Sequence, residues 1–236
     1  MCGRYYRQSD KQKIAEAFHV MHVGDFPLPP TDYNVAPTTM QPVIRNSRDD
    51  GARELVSLRW GLVPFWAKDL LAFKGVSTIN ARSETVTTSR TYREPLKRGR
   101  RCLIPASGFY EWKRVGGKMA PKKNQEKIPY GFDLTNGHMM AFAGLWDAWK
   151  DPATGQWLQS YTIITTDANE LMAPIHERMP VILHPGDFNR WLDREVTGQP
   201  PIDLLRPFPA DEMAAFEVSK DVGNVKNNSA DLLNSK

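Results

Sequence analysis

Long apolar runs are missing from this 236-residue sequence, and no segment approaches the ~18 residues that a membrane-spanning helix needs. The opening stretch MCGRYYRQSDKQK has no apolar centre, so it does not read as a secretory leader, and a cytoplasmic protein is expected. Cysteine is nearly absent. Cys2 and Cys102 form no C-x-x-C pair, which argues against a zinc knuckle and, in a reducing compartment, against a structural disulfide. Neither a metal nor another cofactor is expected. No Gly/Ser- or Pro-rich linker divides the chain, so one domain over 1–236 is expected, with 229–236 as a loose tail.

Positive charge, by contrast, is present in excess and is unevenly placed. The net charge is +4, yet residues 90–127 hold twelve Lys or Arg against three acids. That segment is +9 and the remainder is −5. Such concentration suits a polyanionic partner, nucleic acid being the commonest, although a solvated basic face has the same composition.

Hydrophobic period and turn chemistry predict mainly strands. Ser9 to Phe18 reads as a short helix that Ser9 caps, with Gln12 three residues on. Pro42 to Asn46 and Leu55 to Trp60 read as strands around the polar turn Ser47 to Ala52. Ser89 to Lys97 reads as a helix despite Pro95, and Asp187 to Arg194 as another after Pro185. Further strands are expected at Arg101 to Ala106, Tyr130 to Leu134, Met139 to Trp146, Leu158 to Thr166 and Met213 to Val218. Gly116 to Lys127 reads as a long hairpin tip. Strands do not alternate regularly with helices. The fold class expected is therefore α+β: a single domain around a curved, mainly antiparallel, partly closed sheet with peripheral helices.

Several residues could carry chemistry. Cysteine at position two is small enough for methionine aminopeptidase to remove Met1, which would place an α-amine and a thiol on adjacent carbons of Cys2. Their ordinary pKa values, ~7.7–8.0 and ~8.5, leave both partly available at neutral pH. A 1,2-aminothiol condenses with aldehydes: the amine forms a Schiff base and the thiol closes a thiazolidine. A merely tolerated small residue would look the same. Gly3 permits close approach of a ligand and Arg4 can hold a phosphate, or the pair is a turn glycine and a surface charge. In WGLVPFWA (60–67), Trp60 reads as core, while Trp66 is equally suited to stack an unpaired base. Asn80 offers a donor and an acceptor, and Arg82 offers a phosphate clamp. Glu111 stands among Phe109, Tyr110 and Trp112, where an apolar setting would raise its pKa and suit it to shuttle protons; strand alternation could equally leave it exposed. His176, on a loop between Pro174 and Pro180, is the best placed of five histidines for acid–base work, though lone loop histidines are commonly solvated.

Taken together, these segments resemble the SOS response-associated peptidase (SRAP) family of abasic-site processing proteins. The matching stretches are Met1-Cys2-Gly3-Arg4, Tyr33-Asn34-Val35-Ala36-Pro37, Trp60-Gly61-Leu62-Val63-Pro64 with Trp66, Asn80-Ala81-Arg82-Ser83-Glu84-Thr85, Gly108-Phe109-Tyr110-Glu111-Trp112, His176-Glu177-Arg178-Met179-Pro180 and Val222-Gly223-Asn224-Val225-Lys226. The resemblance implies a single α+β domain around a β pseudo-barrel with a basic groove for single-stranded DNA. It also implies Cys2 as covalent nucleophile for an abasic-site aldehyde, with Asn80, Glu111 and His176 completing the site and no metal needed. Arg4, Asn34, Pro37, Trp66, Arg82, Arg90, Thr165 and Arg178 fall at positions expected near the DNA. The implied partner is single-stranded DNA containing abasic sites, bound by a monomer away from any membrane. An N-terminal-cysteine autopeptidase, as the family name suggests, a class II glutamine amidotransferase and a non-covalent single-strand binder are the rivals. The amidotransferase shares only the Met-Cys-Gly start.

Overall fold

A computed structural model describes residues 2–70, 77–116, 126–195 and 199–234. In chain order the strands and helices are β1 (Tyr5–Arg7), α1 (Lys11–Ala17), β2 (His22–Val23), β3 (Asp32–Val35), β4 (Met40–Asn46), β5 (Arg53–Trp60), β6 (Asn80–Arg82), α2 (Arg93–Lys97), β7 (Arg101–Ala106), β8 (Gly108–Val115), β9 (Glu126–Leu134), β10 (Met140–Lys150), β11 (Trp157–Asp167), β12 (Arg178–Pro180), α3 (Phe188–Leu192) and β13 (Met213–Glu217). Strands β5, β4, β7, β10 and β11 pair antiparallel in that order, and a parallel pairing of β11 with β5 closes the ring. A second antiparallel sheet, β13-β9-β8-β1-β3, packs against it. This is the α+β pseudo-barrel that the sequence predicts.

Strand β7 shows why simple alternation is hard to read here: all six of its residues are buried. Cys102 and Ile104 point into a core shared with Tyr5, Phe109 and Phe132 of the second sheet. Leu103 points the other way, into a core covered by Ile14 and Phe18 near α1, Leu96 of α2 and Trp191 of α3. A strand buried on both faces reads as a continuous apolar run.

Local details depart from expectation in informative ways. Helix α1 is capped by Asp10, whose carboxylate accepts the Lys13 N–H at 2.9 Å, and not by Ser9. The two side chains offer the same chemistry one residue apart, and Ser9 is buried. Helix α2 is shorter than predicted; turns fill 85–92, with the Ser89 carbonyl receiving the N–H groups of Tyr92 and Arg93. Pro95 is tolerated because it lies in the first helical turn, where an N–H has no intrahelical acceptor to lose. The tip at 117–125 lies outside the described residues. The segment expected as a loose tail is docked as far as residue 234. Ala230–Leu233 forms a 3-10 turn, Leu232 is buried with Tyr6, Tyr110 and Val222, and its carbonyl accepts the Ser219 N–H at 3.1 Å. An apolar Leu232–Leu233 pair covering two tyrosines gives the chain end a reason to stay. No helix among the described residues is long and apolar enough to cross a membrane.

Gly108 marks the tightest crossing. It pairs with Tyr6 on one side and Asp133 on the other. A Cβ there would stand 2.4 Å from the Phe132 carbonyl oxygen and from Asp133 Oδ1, in addition to clashing with Tyr6 Oη. Gly108→Ala is expected to destabilise by roughly 2–3 kcal/mol, as overpacking does, and to lower the melting temperature by roughly 5–10 °C. An unchanged thermal melt would show that β1 and β9 can part at no cost.

Candidate functional site

The N-terminal strand brings Cys2 to the seam between the two sheets. Tyr5 pairs with Phe109, and the Tyr110 N–H donates to the Arg4 carbonyl at 3.0 Å. The same antiparallel register, carried on, sets Cys2 and Gly3 alongside Glu111. From the other sheet, Asn80 Nδ2 donates to the Cys2 carbonyl at 2.9 Å. Asn80 is fixed by its own backbone: β6 lies parallel to β11, and the Tyr92 hydroxyl donates to the Asn80 carbonyl at 3.0 Å. Asn80 Oδ1 is buried and accepts no hydrogen bond among the described residues, leaving an acceptor beside the start of the chain.

Glu111 is 4% exposed, so the exposed-strand alternative does not hold. Burial pushes its carboxyl up to about 7, with the positive amino terminus partly opposing. Burial, and then the Glu111 charge, push the Cys2 thiol well above its usual range, so it stays protonated at neutral pH. His176 is half-buried just before β12. Burial first, and the positive amino terminus second, lower its pKa and keep the ring neutral. His176 Nδ1 is tied to the Arg178 backbone, 3.0 Å from its nitrogen and 3.2 Å from its carbonyl oxygen, which fixes the orientation of the ring. Cys2, Asn80, Glu111 and His176 thus come from four separate elements.

The eight residues expected near DNA divide into groups. Arg82 is exposed, on β6 opposite Thr165, and Pro37 is partly exposed beside Thr38, whose φ is 73°. Trp66 is half-buried with the Arg90 guanidinium 4.2 Å from its ring centre, so those two form one platform. Arg4 is partly exposed but tethered: its Nη1 donates to Asn34 Oδ1 at 2.7 Å and to the Val222 carbonyl at 3.0 Å. Asn34 is buried, and its Nδ2 donates to the carbonyls of Asn224 at 3.0 Å and Asn227 at 2.8 Å. It therefore acts as a bracket that holds Arg4 and the C-terminal segment together, and faces no solvent. Thr165 is fully buried, turned towards the Ala81 carbonyl. Arg178 is also buried; its guanidinium binds the Glu84 carboxylate through both Nη groups, and Nη2 reaches the Thr165 carbonyl at 2.7 Å. That fork holds Glu84 well below the carboxylate range, at about 2. Arg178 is not an open phosphate clamp in this arrangement.

Sequence reasoning missed Tyr92, which anchors Asn80, and Glu84, which engages Arg178. It also assigned no role to Val222 and Asn224, whose carbonyls hold Arg4 and Asn34. Glu84, Val222 and Asn224 stand in stretches that carry the family resemblance, but their contacts are long-range and no local pattern gives them a role.

Comparisons with known proteins identify the family. The family model described as SOS response associated peptidase (SRAP) matches residues 1–225. The chain is 42% identical over 239 residues to abasic site processing protein YoqW of Bacillus subtilis (strain 168), covering 100% of both chains. It is 36% identical to abasic site processing protein HMCES of Gallus gallus, covering 85% of this chain and 65% of that one. A crystal structure of a protein from Bacteroides thetaiotaomicron superposes with a TM-score of 0.81 at 27% identity, covering 93% of each chain. By its pseudo-barrel, its Cys2 seam and these matches, the chain belongs to the SOS response associated peptidase (SRAP) family.

Proposed function

We propose that this protein processes abasic sites in single-stranded DNA by joining Cys2 to the ring-opened sugar as a thiazolidine. The observation that carries the reading is the convergence on Cys2 of a fixed amide from Asn80 and a buried carboxyl whose pKa lies near neutrality. Relatives bearing the name abasic site processing protein support the substrate class.

With Met1 removed, the steps balance as follows. The neutral α-amine adds to the C1′ aldehyde; the new C–N bond gives a carbinolamine. Protonation of its hydroxyl releases water and leaves the Schiff base. The Cys2 thiol then adds to the C=N carbon, the C–S bond forms, and the thiol proton ends on nitrogen. One water is lost overall. Because the thiol is held protonated, the amine attacks first and the sulfur second. Ionised Glu111 takes the proton from the attacking amine, and its protonated form returns one to the departing hydroxyl. Asn80 orients the N-terminal residue. His176, its ring held by the Arg178 backbone, serves the sugar oxygen and the breakdown of the Schiff base. Arg178 acts through His176, whose Nδ1 its backbone holds, and is a positioning residue.

Incubation with abasic and intact oligonucleotides, followed by a denaturing gel and a product mass, tests the reading. A shifted band with abasic DNA alone, at the combined mass less one water, is expected. Release of Met1 without any adduct would favour the autopeptidase.

Phosphate contacts position a strand without reading its sequence. Arg82, exposed at the end of β6, is one such contact in this reading. Arg82→Ala is expected to weaken binding alike across sequences and to reduce the salt slope by about 0.7 for the single lost contact. A loss confined to one base context would indicate direct base readout.

A further inference from the structure

The arginines beyond Arg90 are unused by this chemistry, yet they form an ordered row. Next to the Arg90–Trp66 platform, Arg98 lies 5.2 Å from the centre of the Phe65 ring, which is exposed. The Phe65 N–H donates to Asp147 Oδ2 at 3.0 Å, beside Trp146. Over the Trp146 ring lie Arg45 at 4.1 Å, Arg100 at 5.4 Å and Arg48 at 5.8 Å. The row therefore runs from the Trp66 loop to the β4–β5 turn. Its far end is at the opposite end of β11 from Cys2. Arg45 reaches Gln159 near the start of that strand, while Arg82 lies opposite Thr165 near its finish. The six residue steps from Gln159 to Thr165 span about 20 Å at the usual strand rise.

These arginines differ in how far they are committed. Arg45 is paired with Glu54 at 2.6 Å, and Arg100 with the buried Asp147. Among the described residues Arg98 has one ion-pair partner, Glu94 at 3.8 Å, which it shares with Arg93. Arg48, Arg90 and Arg194 have no ion pair among the described residues. Arg48, Arg98 and Arg194 line one open cleft with Asn46 and Ser47, and Asp193 and Glu195 stand at its wall. Burial, then repulsion from Arg48, Arg98, Arg194 and Arg45, brings Arg100 down to about 10. An anion in the cleft would relieve that repulsion. Phe65 is exposed, Trp66 is half-buried, and Trp146 is buried beneath its arginines, so two accessible rings lead to a cluster of guanidinium groups, which suits a single strand whose bases stack while its phosphates are paired.

We propose that a DNA strand engaged at Cys2 continues over Arg90–Trp66 and Arg98–Phe65 and docks its phosphodiester backbone on Arg48 and Arg194. This rests on the reading of the Cys2 site above, and deepens it by extending the footprint to a second anchor.

The test compares Arg48→Gln/Arg194→Gln with the wild type, using abasic and intact oligonucleotides of about three and about twenty-five nucleotides, the shorter unable even when extended to cross about 20 Å with its middle nucleotide at Cys2. The wild type is expected to bind the long intact strand more tightly than the short one. The double variant should lose this length advantage, on the order of tenfold, and reduce the salt slope on the long strand by about 1.4 for two single-strand phosphate contacts. Its crosslinking rate on the short abasic strand should equal the wild type's, which also reports correct folding. Arg98→Gln, midway along the row, should give a partial loss on the long strand alone. Equal wild-type affinity for both lengths, or equal losses by the double variant on both, would overturn the second anchor. Failure of the wild type to crosslink the short abasic strand would instead overturn the Cys2 reading, and length-dependent binding of intact DNA would still support the row.

Discussion

Cys2→Ala is expected to yield no heat-stable adduct with abasic single-stranded DNA, while borohydride still traps a protein–DNA product. Alanine keeps the α-amine, so the Schiff base forms and can be reduced. It removes the sulfur, so the ring cannot close and the imine hydrolyses. Alanine at position two also permits removal of Met1. A variant that retains Met1 has no Cys2 amine and should give neither product. The measurement is a denaturing gel with and without reductant, alongside the product mass. A stable Cys2→Ala adduct without reductant would rule out the thiazolidine, since Cys102, the other cysteine, has no adjacent α-amine with which to close the ring. The buried, protonated Cys2 thiol adds an expectation about order: thiol-directed alkylation of the free protein should be slow at pH 7, even though the same sulfur closes a ring once the imine is formed beside it.

Glu111→Gln is expected to slow crosslink formation by about 10²-fold, the usual scale for loss of an acid–base group, and to raise stability above neutral pH. The two effects have one cause. Burial raises the Glu111 pKa from 4.5 to about 7, so the folded protein binds its proton more tightly than the unfolded chain does. The stability this contributes is complete below about pH 4.5 and is lost as pH rises through about 7, where the buried carboxyl becomes charged. Glutamine fills the same space and does not titrate. The variant should therefore gain on the wild type between these values and keep a constant advantage above them, on the order of 2–3 kcal/mol. Thermal melts across pH 4 to 9 measure this, and parallel curves would show that Glu111 is not desolvated. In the rate, the wild type should show an inflection near pH 7 that the variant lacks.

His176→Ala should separate from Glu111→Gln. The ring is neutral and serves the sugar oxygen in this reading, so its loss should slow formation less and alter Schiff-base turnover or crosslink decay more. Single-turnover time courses of formation and decay decide this. Identical defects in both variants would remove the division of roles.

Much of the chemistry was legible in the order of residues. Cysteine after the first methionine, a carboxyl among Phe109, Tyr110 and Trp112, and a histidine between prolines are local facts, and short-range period alone located most strands. The neighbours of Glu111 left open whether its carboxyl is buried or exposed; burial at the seam between the sheets decides it and raises its pKa. Residue type did not reveal how each arginine and asparagine is used. The family resemblance places Arg178 and Asn34 near DNA, but Glu84, 94 residues from Arg178, holds its guanidinium, and Asn34 turns inward to carbonyls of Asn224 and Asn227, 190 and 193 residues away. Asn80 meets Cys2 across 78 residues only because β6 lies parallel to β11 at the sheet seam. The sequence by itself determined which groups could react, since that follows from their chemistry and immediate neighbours. Which of them face DNA, which face each other and which are locked into the frame was decided by strand pairing between distant segments, because a polar side chain brought out of water must take whichever partner the register sets opposite it.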